Sequence, residues 1–155
     1  MPGSIYLRRA TAADQPQIDA LIRTVGINPM GIKWPRFIVA DENGRIVGAG
    51  QVKPHGDGVR EVASIAVAPD RQGMGVGRAI VATLVSLEPA PLFLYCADHN
   101  ESYYVQFGFR ALETVEMPSS LRRLHYVANT LARVISAVSG RQRRLVVMGR
   151  GLDRA

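Results

Sequence analysis

One stretch limits what this chain can fold into more than any other: Ile65-Ala66-Val67-Ala68-Pro69-Asp70-Arg71-Gln72-Gly73-Met74-Gly75-Val76-Gly77-Arg78-Ala79. An apolar strand runs into a loop with glycine at alternate positions, and a helix follows. N–H groups in the first turn of a helix have no intrahelical acceptor, and the helix dipole adds partial positive charge there. Glycines let a ligand approach those groups closely. The stretch therefore suits a phosphate or pyrophosphate. It is not a nucleotide P-loop, because no Gly-Lys-Ser/Thr follows four residues after a glycine. It is not the dinucleotide fingerprint either, because the glycines fall at 73, 75 and 77 and not as Gly-x-Gly-x-x-Gly.

The elements around it follow from periodicity and turn chemistry. Ile5 to Arg9 alternates as a short strand. Thr11 and Asp14 have capping-box spacing ahead of a helix whose face is Ile18, Leu21, Ile22 and Val25, with Gly26 as its stop. Ile27 to Pro35 reads as a loop with room for a helical turn. Phe37–Ala40 and Arg45–Val52 flank Asn43-Gly44, a strong hairpin signal. A second turn, Pro54 to Gly58, leads into a strand from Val59 to Val67, so three strands form an antiparallel meander. A helix from Gly77 to about Leu87 follows, then a strand Leu92–Cys96, a short helix Asn100–Phe107, a strand Phe109–Leu112, an amphipathic helix and a final strand Leu145–Met148. The amphipathic helix is marked by Leu121, Leu124, Ala128, Leu131, Ile135 and Val138 and ends at Gly140. The expected fold class is α+β, a mostly antiparallel mixed sheet flanked by helices, with residues 1–155 as one domain.

Composition narrows the setting. At 155 residues and 47% hydrophobic content the chain can bury a sizeable core. One cysteine, Cys96, excludes an internal disulfide and a cysteine metal cluster, and a reducing compartment is the simplest reading. No apolar run reaches the ~20 residues of a membrane span, and Met1-Pro2-Gly3-Ser4 opens no signal-peptide region. The expected location is the cytoplasm. The net charge of +6 is uneven, with nine Lys+Arg against four Asp+Glu from Glu101 to Ala155. That excess includes Arg122, Arg123, Arg133, Arg141, Arg143 and Arg144.

A second motif, Tyr103-Tyr104-Val105-Gln106-Phe107-Gly108-Phe109, follows the glycine loop after one helix and one strand. With Gln72, Gly75 and Gly77 read as Gln/Arg-x-x-Gly-x-Gly/Ala, and Tyr104 five residues before Phe109, the chain resembles the GNAT acyltransferase superfamily. The resemblance runs from the first strand to about Leu112; its specific motifs lie between Glu61 and Phe109. A long helix before the last strand departs from that family's usual hairpin. The resemblance implies a pair of splayed central strands and acetyl-CoA as acyl donor. It assigns backbone groups of Ile65, Ala66 and Val67 to the pantetheine arm and thioester carbonyl. It aims the N–H groups of Gln72, Gly73, Met74, Gly75, Val76, Gly77 and Arg78 at the pyrophosphate. It places Asn100 and Tyr104 among the CoA contacts. Arg71 and Arg78 are then flanking cations, or else ordinary solvated charges.

Chemistry supplies the remaining roles. A primary amine of pKa ~10.4 is free base in only about one molecule in two thousand at neutral pH, a handicap of roughly 4–5 kcal/mol. A base near the amine helps, and the resemblance gives that role to Glu61, six residues before Val67. The alternative is a surface carboxylate paired with Arg60. Expulsion of a thiolate is easier with a proton, which the resemblance has Tyr104 supply. No nucleophile–base pair is evident, so attack is direct, in a ternary complex. Cys96 in its apolar run reads as inert core. His55 and His99 in turns and His125 on a helix match no metal spacing, and no metal is expected; His55 is a candidate flank of the acceptor pocket. Met30 and Trp34 either line that pocket or pack in the core. The expected partner is a small-molecule or peptide amine, and the chain is a monomer or homodimer. The rival readings are a CoA-binding module without turnover and a nucleic-acid binder. Against the latter, the basic segment holds one interleaved aromatic, Tyr126, and there is no helix-turn-helix or zinc pattern.

Overall fold

Strand β1 (Ile5–Arg9) enters a capped turn in which the Thr11 N–H donates to Asp14 Oδ2 at 2.7 Å, and helix α1 (Gln15–Val25) follows. This computed structural model describes residues 3–140 and 144–152. Gly26 ends α1 in the left-handed conformation, and Ile18, Leu21 and Ile22 are buried, as their spacing predicts. The helical turn in the following loop is Trp34–Arg36. Strands β2 (Phe37–Glu42) and β3 (Arg45–Pro54) form the hairpin, with Asn43 and Gly44 both at positive φ in its two-residue turn. Then come β4 (Arg60–Val67), α2 (Val76–Leu87), β5 (Leu92–Ala97), α3 (Glu101–Val105), β6 (Arg110–Ala111), α4 (Ser119–Ser139) and β7 (Leu145–Arg150). Against expectation, α3 is shorter at both ends, because a 3-10 turn Asp98–Asn100 precedes it, and β6 keeps two residues. Of the basic segment, Arg141 and Arg143 lie outside the described residues, as do Met1 and Pro2.

The described chain divides into two units. The first comprises Met1–Lys53 and Val62–Pro89, the second Pro54–Glu61 and Ala90–Ala155. In the first, the strands run in the order β1-β2-β3-β4, with β1–β2 and β2–β3 antiparallel. Gly48 and Gly50 stand in β3 for a packing reason. A Cβ at Gly48 would fall 2.7 Å from Val76 Cγ1, and one at Gly50 2.6 Å from Ile65 Cδ1 and 2.7 Å from Ile80 Cγ2. The absent side chains let α2 and β4 close on the strand. In the second unit, the start of β4 pairs in parallel with β5 at one register position, Glu61 opposite Phe93; β5 and β6 each pair antiparallel with β7. Its core is Val59, Phe93, Leu112, Met117, Leu121 and Val147. The expected mixed, mostly antiparallel α+β architecture, with an added helix before the last strand, is what the chain forms.

A charge network fixes the start of the first unit. Arg8 donates to both Asp14 oxygens, at 2.7 and 2.9 Å, and through Nε to Asp41 Oδ2 at 2.9 Å. Both carboxylates are buried. The Arg8 hydrogen bonds hold Asp14 well below the usual carboxylate range, and the Gly44 N–H is the largest cause of the lowered Asp41. Removing the cation strands two carboxylates, so Arg8→Leu is expected to cost about 3 kcal/mol in urea denaturation at neutral pH. The two depressed carboxylates contribute stability above the unfolded-state value of ~4 and lose it as pH falls toward their folded values. The variant's stability is therefore expected to fall less between pH 5 and 3 than that of the parent.

Candidate active site

In the first unit, β4 carries one residue in the left-handed conformation. Ser64 has φ of +58°, rare for a residue with a side chain, and its Oγ accepts from Gln51 Nε2 at 2.9 Å, while Gln51 is fully buried. The left-handed residue re-aims the backbone entering Ile65, Ala66 and Val67. Past the 3-10 turn Pro69–Arg71, Gln72 Nε2 donates to the Val67 carbonyl at 3.1 Å and ties the loop to its strand. Gly73 and Gly75 have φ of +77° and +81°, and a Cβ on either would meet nothing within 4 Å. The backbone turn demands these glycines, and their outer side is open. Gly75 is the N-cap of α2 with no side-chain cap, so the N–H groups of Val76, Gly77 and Arg78 have no capping side chain. Gln72, Gly73, Met74, Gly75 and Arg78 are exposed.

The two flanking arginines separate. Arg71 is engaged, 3.0 Å from Glu42 Oε2 and 3.0 Å from Asp70 Oδ2, which makes it a structural cation. Arg78 has no side-chain partner among the described residues. Met30 and Trp34 are exposed, so neither is core.

In the second unit, the Glu61 carboxylate is paired with His55. His55 Nε2 lies 2.7 Å from Glu61 Oε2, and both side chains are about nine-tenths shielded. The turn that holds them is tight: the His55 N–H donates to Val59 O at 2.8 Å and Asp57 Oδ1 accepts from the Val59 N–H at 3.2 Å. Asp57 Oδ2 also accepts the Ser120 N–H at 3.1 Å, so the same turn caps α4. The sequence marked His55 as a turn histidine and a candidate flank of the acceptor pocket, not as a partner of Glu61. The usable signal was diagonal hairpin spacing: Glu61 lies two residues past Val59, which pairs with His55.

Tyr104 packs edge-on to Phe109, ring centroids 6.4 Å apart at 79°, and to Tyr103 at 5.1 Å and 83°. Burial, with smaller contributions from Cys96 and Tyr103, pushes its phenol up to about 12. No hydrogen-bond partner holds its hydroxyl among the described residues. Cys96 is buried beside Met148 Sδ at 3.7 Å, and burial pushes its thiol up to about 11, the profile of an inert thiol. Asn100 is exposed at the start of α3. Tyr95, which the sequence did not single out, donates to the Leu121 carbonyl at 2.9 Å. Among the described residues no group of His, Cys, Asp and Glu could hold a metal, and no helix is long and apolar enough to cross a membrane.

The profile of the acetyltransferase (GNAT) domain matches residues 33–111, which include the Gly73–Gly77 loop, Glu61 and Tyr104. The chain belongs to the GNAT acetyltransferase family. Solved structures agree at the level of the fold. N-acetylglutamate synthase from Neisseria gonorrhoeae, complexed with coenzyme A and L-arginine, superposes with a TM-score of 0.69 at 20% identity, over 98% of this chain and 34% of that one. This chain thus spans about a third of that protein's length. Rv2747 from Mycobacterium tuberculosis, in complex with CoA, gives 0.69 at 22% identity over 96% and 99% of the two chains. The ribosomal-protein-S18-alanine N-acetyltransferase from Escherichia coli gives 0.65 at 15% identity over 98% and 96%. Compared by sequence with the curated proteins, the chain matches none.

Proposed function

We propose that this GNAT member is an acetyl-CoA-dependent N-acyltransferase that moves the acetyl group onto a primary amine by direct attack. The observation that carries the reading is the His55–Glu61 pair at 2.7 Å in the same unit as the half-buried Tyr104, whose hydroxyl has no hydrogen-bond partner among the described residues. A CoA-binding module without turnover has no use for either. In this reading, the Gln72–Arg78 backbone and the α2 N-terminus receive the pyrophosphate, and Ile65–Val67 lie along the pantetheine arm. Asn100 contributes a polar contact to the donor. Glu61 accepts the proton the amine must lose, with Oε2 held by His55 and Oε1 left to act. Tyr104 protonates the departing thiolate. In this reading residues 1–155 are a single GNAT-like acyltransferase domain. A small-molecule or peptide amine is the acceptor, and the single buried thiol suits the cytoplasm. The chemistry calls for no metal.

The test is thiol release from acetyl-CoA against amine classes: amino acids, polyamines, peptide N-termini, lysine peptides and aminoglycosides. Acetylation of one class, confirmed by mass spectrometry of the product, is expected. Thiol release equal with and without every amine would overturn the transfer reading.

The cradle has its own check. Gly75→Glu places a carboxylate at the N-terminus of α2 and a side chain where a Cβ meets only open space, at a backbone cost of about 1–2 kcal/mol. The variant is expected to fold and to lose at least tenfold in acetyl-CoA affinity by calorimetry. Unchanged affinity in a folded variant would remove the loop from the donor site.

A further inference from the structure

Helix α4 turns a small and polar face toward its own unit. His125, Asn129, Ala132 and Ser136 follow one another at intervals of four, three and four, which places them on one side of the helix. All are half-buried, whereas Leu131, Val134 and Val138 are exposed. The inward face packs no apolar core. It lines a groove of about 830 Å³ shared with Asp98, Thr114 and Arg144, all within the second unit. Arg122, Arg123 and Arg133 complete the basic lining and are exposed.

The charge in this groove is uncompensated. It holds four arginines and one carboxylate, Asp98, whose ion-pair partner is His99 at 3.8 Å. Helix α4 contains no Asp or Glu. Among the described residues, none of the four arginines has a carboxylate within 4 Å. Burial and the charge of Arg144 hold His125 below the usual imidazole range, so the floor of the groove is neutral at pH 7. Concentrated cations beside a neutral floor attract a ligand that carries several anions.

We infer that this groove docks the acceptor, and that the acceptor is an acidic peptide whose carboxylates pair with the arginines of α4. The inference rests on the transfer reading above and names its substrate class. Length is the first support. Arg122 and Arg133 stand eleven residues apart, roughly 16 Å along the helix axis. An extended peptide covers that span in about five residues, and a single amino acid does not reach it. Charge pattern is the second. A peptide brings backbone N–H donors for Asp98, whereas a phosphate strand sets like charge beside it. Connection to the acid–base groups is the third. The turn that holds His55 and Glu61 also caps α4, through Asp57 and the Ser120 N–H at 3.1 Å, two residues before Arg122. The turn Asp98–Asn100 leads directly into α3, which carries Tyr104.

The probe is a short peptide with a free N-terminus, a run of glutamates and a C-terminal fluorophore, with its glutamine counterpart as control. Fluorescence anisotropy with the full chain, in the absence of acetyl-CoA, is expected to show the glutamate peptide binding at least tenfold tighter, with the difference shrinking as salt is raised. Arg133→Glu is expected to lose about tenfold of that affinity and Arg133→Lys little of it. Arg23→Glu, the same change of charge on α1, is expected to keep it. Arg133 is exposed and has no side-chain partner among the described residues, so thermal midpoint and acetyl-CoA affinity are expected to stay parental in Arg133→Glu. In transfer assays that variant is expected to raise KM for the glutamate peptide and to leave kcat. Equal binding of the two peptides, binding that survives Arg133→Glu, or an equal loss in Arg23→Glu would each overturn the inference. Single-stranded DNA binding more tightly than the glutamate peptide, and lost in Arg133→Glu, would overturn it in favour of a nucleic acid. A peptide that binds but stays unmodified while other amines are acetylated would overturn the acceptor role alone. Peptide binding with no amine acetylated would overturn that role together with the transfer reading.

Discussion

Tyr104→Phe is expected to slow acetyl transfer by roughly 10²–10⁴, the range for losing a positioned acid, while leaving fold and most acetyl-CoA affinity in place. The ring is what packs, against Tyr103, Phe107 and Phe109, and phenylalanine keeps it. The hydroxyl has no hydrogen-bond partner among the described residues, so its loss strands nothing. Burial holds the phenol up to about 12, so the proton stays in place across the working range. No fall in rate below about pH 11 is expected to belong to Tyr104. Acyl donors with better leaving groups than a CoA thiol are expected to lose less, because they need no proton. Tyr103→Phe is the control, with near-parental turnover expected in single-turnover assays. If Tyr103→Phe were the damaging change and Tyr104→Phe stayed fully active, the acid would have been placed one residue off.

The fold was legible where a local signal has a single structural meaning. Asn43-Gly44 fixed a two-residue hairpin, Thr11 with Asp14 fixed a cap, and Gly26 fixed a stop. Residues whose role depends on a distant partner were legible only in part. Gly48 and Gly50 read as strand residues, and the reason for their size lies some thirty residues on, in Val76 and Ile80. The amphipathic pattern of α4 made its helix legible, but not that most of its apolar face is exposed. Periodicity reports which residues share a face, not what covers it.

The site followed the same division. The glycine loop is a continuous segment whose φ values and open surroundings are local properties, so its backbone turn was legible from the glycine spacing. Ser64 was missed because serine rarely adopts positive φ; its conformation is held by the buried Gln51 on a neighbouring strand. Arg71 and Arg78 look alike in sequence, and only Glu42, 29 positions away, distinguishes the structural cation from the open one. His55 was visible as a turn histidine. Its bond to Glu61 required the hairpin geometry that sets the two side chains on adjoining arms.

That bond shapes the second large effect. Glu61→Gln preserves size and an oxygen for His55 while removing the base, so folding and acetyl-CoA affinity are expected to hold while turnover at pH 7 falls roughly 10²–10³. The sign of the pH dependence follows from the amine. Near neutrality almost all of it is ammonium, and the base supplies what solution does not. As pH rises toward ~10.4 the amine deprotonates unaided, and the gap between variant and parent is expected to narrow. His55→Ala leaves Glu61 ionisable but frees Oε2 from its 2.7 Å partner, so it is expected to cost less than Glu61→Gln. The double variant is expected to be no worse than Glu61→Gln alone, because residues acting as a unit are not additive. These outcomes are read from kcat/KM profiles between pH 6 and 10 for the three variants. A Glu61→Gln defect constant across that range would make Glu61 a structural or acceptor-binding residue. Additive losses in the double variant would separate His55 from the base and give it a role of its own at the acceptor.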